Sequence, residues 1–190
     1  MFGIKYDLVD ENRRNAVQIL KKRFDWGTIE KYNLENRRSC KWPETCEFKE
    51  NSKMTQPSNV IPELCVEYWF KKNDVYKHYN SNDFFIPRST ERFASIQEGD
   101  VSKKSFKRLH RWRYSPTAAY GNNEVHLHPY FARRMSVAEV LAIQSLPKEY
   151  QITKELSKSD MFKTVGNGVP FLLAKGIAHG IREFLINELR

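Results

Sequence analysis

The amino-acid sequence predicts an α+β fold, in which an irregular, β-rich first part precedes a set of C-terminal helices. Residues 25–60 are polar, contain Pro43 and Pro57, and show no helical periodicity, which is typical of loops. Short apolar pieces separated by turns follow over residues 84–127 and resemble short strands. The last third of the chain instead repeats apolar residues every three to four positions, which is the period of a helix.

The first 24 residues are predicted to form a strand followed by a helix. Residues 1–8 alternate apolar and polar side chains, as a strand with one buried face does. Residues 10–24 carry apolar side chains at helical spacing. We therefore expect the irregular part to begin only after this helix.

A capping box marks the first of the C-terminal helices. Ser136 is followed three residues later by Glu139, a pair whose side chains can each accept a hydrogen bond from the other's backbone N–H. The apolar residues that follow have helical spacing. We predict a helix that begins at Val137 and stops before Pro147.

The last helix is expected to begin at a glycine-containing turn. Asn167 or Gly168 is its candidate N-cap, and Pro170 would lie in its first turn. Its apolar stripe repeats every four residues and consists of Val169, Leu173, Ile177, Ile181 and Leu185. Taken alone, this stripe predicts a helix packed in the core of an α/β fold and nothing more specific.

Composition and charge narrow the class of protein. The chain has 190 residues, of which 40% are hydrophobic, and this content excludes a disordered protein. Its formal charge of +9 predicts a polyanionic partner, with nucleic acid first and a membrane surface as the alternative. The N-terminus resembles no export signal, and no apolar run approaches the length of a membrane span. We expect a cytoplasmic protein.

The three cysteines predict neither a disulfide set nor a metal site. Cys40, Cys46 and Cys65 are odd in number, which favours reduced thiols. The five residues between Cys40 and Cys46 do not match the two-residue spacing of common zinc sites. Two histidines, His126 and His128, would lie on one face of a strand, but the sequence suggests no carboxylate partner for them.

A basic cluster is the main candidate for nucleic-acid contacts. Its cations are Lys103, Lys104, Lys107, Arg108, Arg111 and Arg113. Phe106 and Trp112 interrupt the cluster, and Arg133 and Arg134 follow about twenty residues later. Cations suit phosphates and aromatic rings suit bases, although a solvated basic face would have the same composition.

Several segments in the second half resemble motifs of the DNA (cytosine-5) methyltransferases. Residues 128–139 and 141–147 read HPYFARRMSVAE and LAIQSLP, and are similar to the family's ninth motif. Residues 165–174 read VGNGVPFLLA and resemble its tenth motif. Upstream, residues 95–99 and 114–121 are similar to the end of its target-recognition region. The order and the gaps also agree with the family.

The resemblance divides the chain into three parts. Residues 1–9 resemble the strand that follows the family's eighth motif, at the end of the catalytic domain. Residues 10–127 would then be the target-recognition domain. Residues 128–190 would carry the ninth and tenth motifs and dock on the catalytic domain, where the C-terminal helices complete a Rossmann-like methyltransferase fold.

The resemblance also implies roles for individual residues. In the family, the tenth-motif turn lies beside S-adenosylmethionine, so Asn167, Gly168 and Val169 are the candidates for cofactor contact. Thr117 occupies the position of a threonine that supports target recognition. The residue after it is alanine where the family has Leu or Ile, so that exact contact is not carried over. Arg133 or Arg134 would brace the recognition region or reach a phosphate.

Three catalytic motifs of the family are absent from this sequence. It has no Phe-x-Gly-x-Gly methyl-donor loop, no Pro-Cys-Gln nucleophile and no Glu-Asn-Val triplet. The resemblance therefore implies a DNA-recognition and cofactor-pocket-completing subunit or C-terminal fragment of a bacterial restriction-modification methyltransferase. A partner chain would supply the missing motifs in a heterodimer, share S-adenosylmethionine and act on double-stranded DNA. This chain alone would be inactive.

An alternative belongs to a different functional class. The chain could be a non-catalytic DNA-binding or regulatory remnant of such an enzyme. The two hypotheses differ over the tenth motif, because a pure DNA-binding protein has no need for the Gly-Asn-Gly-Val-Pro turn at residues 166–170.

Overall fold

A computed structural model describes residues 41–103, 105–118, 120 and 125–188. The strand and helix predicted within the first 24 residues lie outside the described residues, as do Cys40 and Lys104.

The described chain is an α+β structure with little strand. Its elements in chain order are a 3-10 helix (Pro62–Leu64), α1 (Val66–Lys72), α2 (Glu91–Ala94), β1 (Lys107–Arg108), β2 (His126–Leu127), α3 (Val137–Ile143), α4 (Lys158–Asn167) and α5 (Phe171–Glu188). Strands β1 and β2 pair in parallel, with Lys107 opposite His126. Isolated bridges join Cys46 to Glu98 and Leu127 to Arg134.

The α+β class is confirmed, but the described part of residues 84–127 is not β-rich. Phe93, in a segment expected to be a strand, lies in helix α2. Here backbone carbonyls accept hydrogen bonds from a side chain and not from a neighbouring strand. The Arg108 guanidinium donates to the carbonyl oxygens of Ile96, Phe93, His128 and Phe131. Carbonyls satisfied in this way need no neighbouring strand.

Helix α3 lies at the centre of the main core. Its residues from Val137 to Ala142 are all buried, and the core around them includes Phe70 of α1 and Phe162 of α4. All residues of α3 except Glu139 are apolar, and a helix of this kind is expected to be buried on every side. The predicted capping box is confirmed: Ser136 Oγ accepts from Glu139 N at 3.3 Å, and Glu139 Oε2 accepts from Ser136 N at 2.7 Å.

Helix α4 was not predicted from the sequence, and it changes the role of the glycine turn. Ser157 caps α4 by accepting from the backbone N–H of Asp160. The helix continues through Asn167, with Gly168 as its C-cap. Asn167 is therefore the last residue of α4 and not the N-cap of α5. The carbonyl of Pro170 accepts from Ala174 N at 3.0 Å, so Pro170 precedes the first helical residue of α5.

Helix α5 is not part of the buried core. No residue from 171 to 187 is buried, although the helix is rich in apolar side chains. Among the described residues, no helix is long and apolar enough to cross a membrane.

Candidate functional site

A buried polar cluster is built from the segment after β2 and the start of α3. His128 and Glu139 are at most 1% exposed. The Glu139 carboxylate accepts from both terminal nitrogens of Arg133, at 2.9 and 2.6 Å. His128 Nε2 lies 3.5 Å from Glu139 Oε1. The sequence suggested no carboxylate near His128, and Glu139 is that missing group.

The hydrogen bonds of His128 define its tautomer. Its Nδ1 accepts from the backbone N–H groups of Tyr130 (3.2 Å) and Phe131 (3.1 Å). The proton of the neutral ring is therefore on Nε2. Burial holds the pKa of His128 well below its ordinary value, and the positive charges of Arg133 and Arg108 add to the effect. The ring is thus neutral at physiological pH and serves as a structural bridge.

From Nε2 a chain of hydrogen bonds runs towards α1. Tyr76 Oη lies 3.2 Å from His128 Nε2 and 2.6 Å from Tyr130 Oη. Tyr130 Oη donates in turn to Glu67 at 3.1 Å. Burial is the largest cause of the raised pKa of both tyrosines, so both hydroxyls stay protonated. This network fixes the ninth-motif segment against α1.

Two arginines of the predicted DNA-binding cluster lie inside the protein. Arg108 is fully buried with its guanidinium on backbone carbonyls, and burial lowers its pKa to about 10. Arg111 is 3% exposed and donates to both carboxylate oxygens of Glu98 at 2.8 Å. The structure gives both side chains internal partners, whereas the sequence led us to expect phosphate contacts. Buried donors need internal partners, and these two have them.

The other predicted DNA-binding residues are divided between structural and accessible positions. Arg113 is half-buried and donates to the carbonyls of Pro43 and Gly99. Lys103 and Thr117 are exposed, whereas Lys107 is half-buried. Arg133 is held by Glu139, and Arg134 is half-buried against the rings of Phe85 and Phe106. Among the described members, Lys103 and Thr117 are therefore exposed, and Lys107 and Arg134 are partly accessible.

The predicted cofactor residues form an exposed turn between α4 and α5. Asn167, Gly168 and Val169 are all exposed. The first N–H groups of α5 are already used, because Phe171 N donates to the Gln144 carbonyl and Leu172 N donates to Ser145 Oγ. Because these donors already have acceptors, the N-terminus of α5 offers fewer free N–H groups to an anion. The groups left for a ligand at this turn are the Asn167 side chain and the backbone around Gly168 and Val169.

The cysteines give no sign of a metal centre in the described part of the chain. Cys46 and Cys65 are reduced; Cys65 Sγ donates to the Ile61 carbonyl at 3.3 Å, and burial raises the pKa of Cys46. No group of three potential metal ligands occurs among the described residues.

The two motif segments belong to one folded unit. Leu141 of the ninth-motif segment and Val165 of the tenth-motif segment lie in the same buried core, and Phe171 N donates to the Gln144 carbonyl at 2.9 Å. The class of protein consistent with these motifs and their packing is a DNA-modifying methyltransferase. Residues 2–183 match the family of C-5 cytosine-specific DNA methylases. The chain belongs to this family, whose enzymes use S-adenosylmethionine.

Two relatives illustrate this membership. The chain is 53% identical over 168 residues to the type II methyltransferase M.NmeDI of Neisseria meningitidis serogroup C, a match that covers 88% of this chain and 39% of M.NmeDI. It is 25% identical over 119 residues to the type II methyltransferase M.AquIB of Picosynechococcus sp., covering 54% of this chain and 86% of M.AquIB. The chain thus spans about two fifths of M.NmeDI. No solved structure matches it significantly.

Proposed function

We propose that this chain is the target-recognition and cofactor-closing part of a DNA (cytosine-5) methyltransferase. Residues 10–127 would recognise DNA, and residues 128–190 would dock on a catalytic part held in a separate chain. That catalytic part would carry the methyl-donor loop, the nucleophilic cysteine and the protonating glutamate. The observation that carries the proposal is the uncovered apolar stripe of α5.

The exposure of this apolar stripe favours binding to a protein partner. Val169, Ile181 and Leu185 are 56%, 53% and 48% exposed, and Leu173 and Ile177 are only half-buried. Fully burying one such side chain contributes roughly 1.5–3 kcal/mol. Contiguous apolar surface on this scale is typical of a protein interface. Because the match covers only 39% of M.NmeDI, the remainder of such an enzyme is the occupant that we propose.

The lengths of the relatives support a two-chain arrangement. The match to M.AquIB covers 86% of that relative, so M.AquIB is a chain little longer than the matched segment. It is nevertheless named as a type II methyltransferase. A chain of this length therefore fits one part of a methyltransferase assembled from two chains.

The exposed turn fits a shared cofactor pocket. We propose that the Asn167 side chain and the backbone of Gly168 and Val169 contact S-adenosylmethionine, while the catalytic chain supplies the rest of the pocket. The cofactor, when bound, supplies the methyl group. The contribution of this chain is to orient the cofactor and to exclude water from one side of it.

Pairing with a catalytic part tests the proposal. The part of M.NmeDI outside the match serves as the partner, since the matched segments are 53% identical. We expect the two chains to co-purify and to sediment as a 1:1 complex. Ile181→Asp should abolish the complex by placing an unpaired charge in an apolar seam. Ile177→Asp, at the half-buried centre of the same stripe, should act likewise.

A matched control separates pairing from folding. Lys175→Asp also places a carboxylate on α5, at an exposed polar position outside the stripe, and should leave the complex intact. Normal pairing of both stripe variants would refute docking through α5. Failure of the wild-type chain to pair, together with retained DNA binding, would instead support a non-catalytic DNA-binding remnant.

A further inference from the structure

A continuous groove surrounds the ring of Phe106. In the described part of the chain, three adjoining concavities share this residue, and the two larger ones have volumes of about 430 and 460 Å³. Phe85 and Arg134 line both of the larger ones. Arg88 and Arg92 complete one end of the groove.

The groove combines cations with aromatic faces. The guanidinium carbon of Arg92 lies 4.6 Å from the centre of the Phe106 ring. That of Arg134 lies 5.3 Å from the Phe85 ring and 5.9 Å from the Phe106 ring. A guanidinium whose face lies on a ring keeps its N–H edge available for hydrogen bonds.

The charge of these arginines is not balanced locally. Within the described residues, no carboxylate forms an ion pair with Arg88, Arg92 or Arg134, and none of their guanidinium groups donates a hydrogen bond there. Buried Arg108 and Arg111, by contrast, are fully engaged. The half-buried Arg134 is partly desolvated and lacks an anion. Such a site has a clear preference for an anionic ligand.

The backbone at Phe106 is strained in a way that places its ring at the groove. Its φ angle is 60°, in the left-handed region that a bulky side chain rarely adopts. Strain of this kind clusters at functional sites. The ring packs on Phe93, at a centroid distance of 5.4 Å, and also contacts Arg92.

We infer that this groove, which we call the Phe106 groove, binds the phosphate backbone of DNA. Arg88, Arg92 and Arg134 contact phosphates, and the rings of Phe85 and Phe106 hold the guanidinium groups of Arg92 and Arg134 in place. The inference rests on the proposed function for the choice of DNA as the polyanion. It moves the phosphate contacts away from Arg108 and Arg111, which the fold uses internally.

Charge favours DNA over a protein partner at this groove. The described lining of the groove contains three arginines and no carboxylate, and the closely spaced negative charges of a phosphate backbone match such a surface. The apolar stripe of α5 has the opposite character and suits a protein. We therefore assign DNA to the Phe106 groove and the catalytic part to the apolar stripe of α5.

Salt-dependent binding tests the inference. Fluorescence anisotropy with a labelled DNA duplex would be measured over a salt series, with the full chain alone and with the remainder of M.NmeDI. Each phosphate contact contributes about −0.9 to the slope of log K against log salt. The variant Arg88→Ala/Arg92→Ala should therefore flatten the slope by about 1.8. The control Lys77→Ala/Lys148→Ala removes the same charge from exposed positions and should leave the slope unchanged.

A second variant tests the aromatic support without removing charge. Phe106→Leu keeps an apolar side chain in the core but removes the face on which Arg92 lies. It should weaken binding several-fold at fixed salt. Arg134→Gln should flatten the slope by about 0.9 without a change in core packing.

Three other results would contradict the inference, each in a different way. A groove variant with the slope of its control would overturn the Phe106 groove and leave the proposed function intact. An unchanged slope with lost pairing to the M.NmeDI remainder would identify the groove as a protein interface and also overturn the inference. No DNA binding by the wild-type chain, alone or paired, would refute both the groove and the DNA-recognition role.

Discussion

Gly166 of α4 lies directly against the backbone of Tyr120. A Cβ atom on Gly166 would overlap the Tyr120 carbonyl oxygen and lie 3.0 Å from its nitrogen. The tenth-motif segment therefore packs, through a glycine that cannot be enlarged, against the end of the region that we propose recognises DNA. Tyr120 is itself anchored, since its hydroxyl lies 2.9 Å from His126 Nδ1.

Gly166→Ala should destabilise the fold. The added methyl group meets backbone, which cannot move aside as a flexible side chain can, and overpacking of this kind typically costs 1–3 kcal/mol. Gly176→Ala is the matched control, because its Cβ would meet nothing within 4 Å. That control should be neutral or stabilising by about 0.5–1 kcal/mol. Urea denaturation of both variants would measure the difference, and equal stabilities would contradict the packing described here.

Arg111→Leu should affect stability far more than DNA binding. It leaves the Glu98 carboxylate, which is 1% exposed, without its guanidinium partner. Removing one member of a buried ion pair costs about 3–5 kcal/mol. The urea midpoint should fall sharply, whereas the salt slope of DNA binding at permissive temperature should match that of the wild type. A flattened slope with normal stability would instead indicate that Arg111 contacts DNA.

Mild acid should weaken the fold through two histidines. Burial lowers the pKa of His110 to about 4 and holds that of His128 well below its ordinary value. Below about pH 6.5 the unfolded chain binds protons at these positions and the folded chain does not, so stability falls as the pH drops. The urea midpoint should therefore decrease from pH 7 to pH 5.

The histidine variants identify the source of this pH dependence. His110→Asn should make the loss between pH 7 and pH 5 smaller. His179→Asn removes an exposed histidine of α5 and should leave the loss unchanged. An identical loss in wild type and His110→Asn would assign the acid sensitivity to other groups.

Asn167→Ala should weaken cofactor binding without affecting assembly. The side chain is exposed at the turn, so its removal should leave the core unchanged. Isothermal titration of the paired chains with S-adenosylmethionine should give a several-fold higher Kd, with an unchanged pairing stoichiometry. An unchanged Kd would place the cofactor away from this turn.

Local patterns in the sequence predicted α3 well and α5 in part. The box formed by Ser136 and Glu139 needs only four consecutive residues, so its geometry follows from sequence. Helix α4 was missed although Ser157 precedes Asp160 by three residues, a weaker signal of the same kind. Consequently, the glycine turn was assigned to the start of α5 alone.

Long-range partners were not predictable. Arg111 meets Glu98 and Ser52, the latter 59 positions away, and nothing in the local sequence distinguishes this arginine from the exposed Lys103. A dense run of cations therefore suggested one surface, although the fold buries Arg108 and Arg111. The Phe106 groove was unpredictable for the same reason, because Arg92 and Arg134 come together only in the folded chain.

Methyl transfer tests the central proposal most directly. Tritiated methyl incorporation into DNA from labelled S-adenosylmethionine would be measured with this chain, with the M.NmeDI remainder, and with both together, using intact M.NmeDI as the positive control. We predict incorporation only when both are present, and its loss with Ile181→Asp. Incorporation by this chain alone, surviving the triple variant Cys40→Ser/Cys46→Ser/Cys65→Ser, would contradict the account, and so would an inactive mixture of chains that pair and bind DNA.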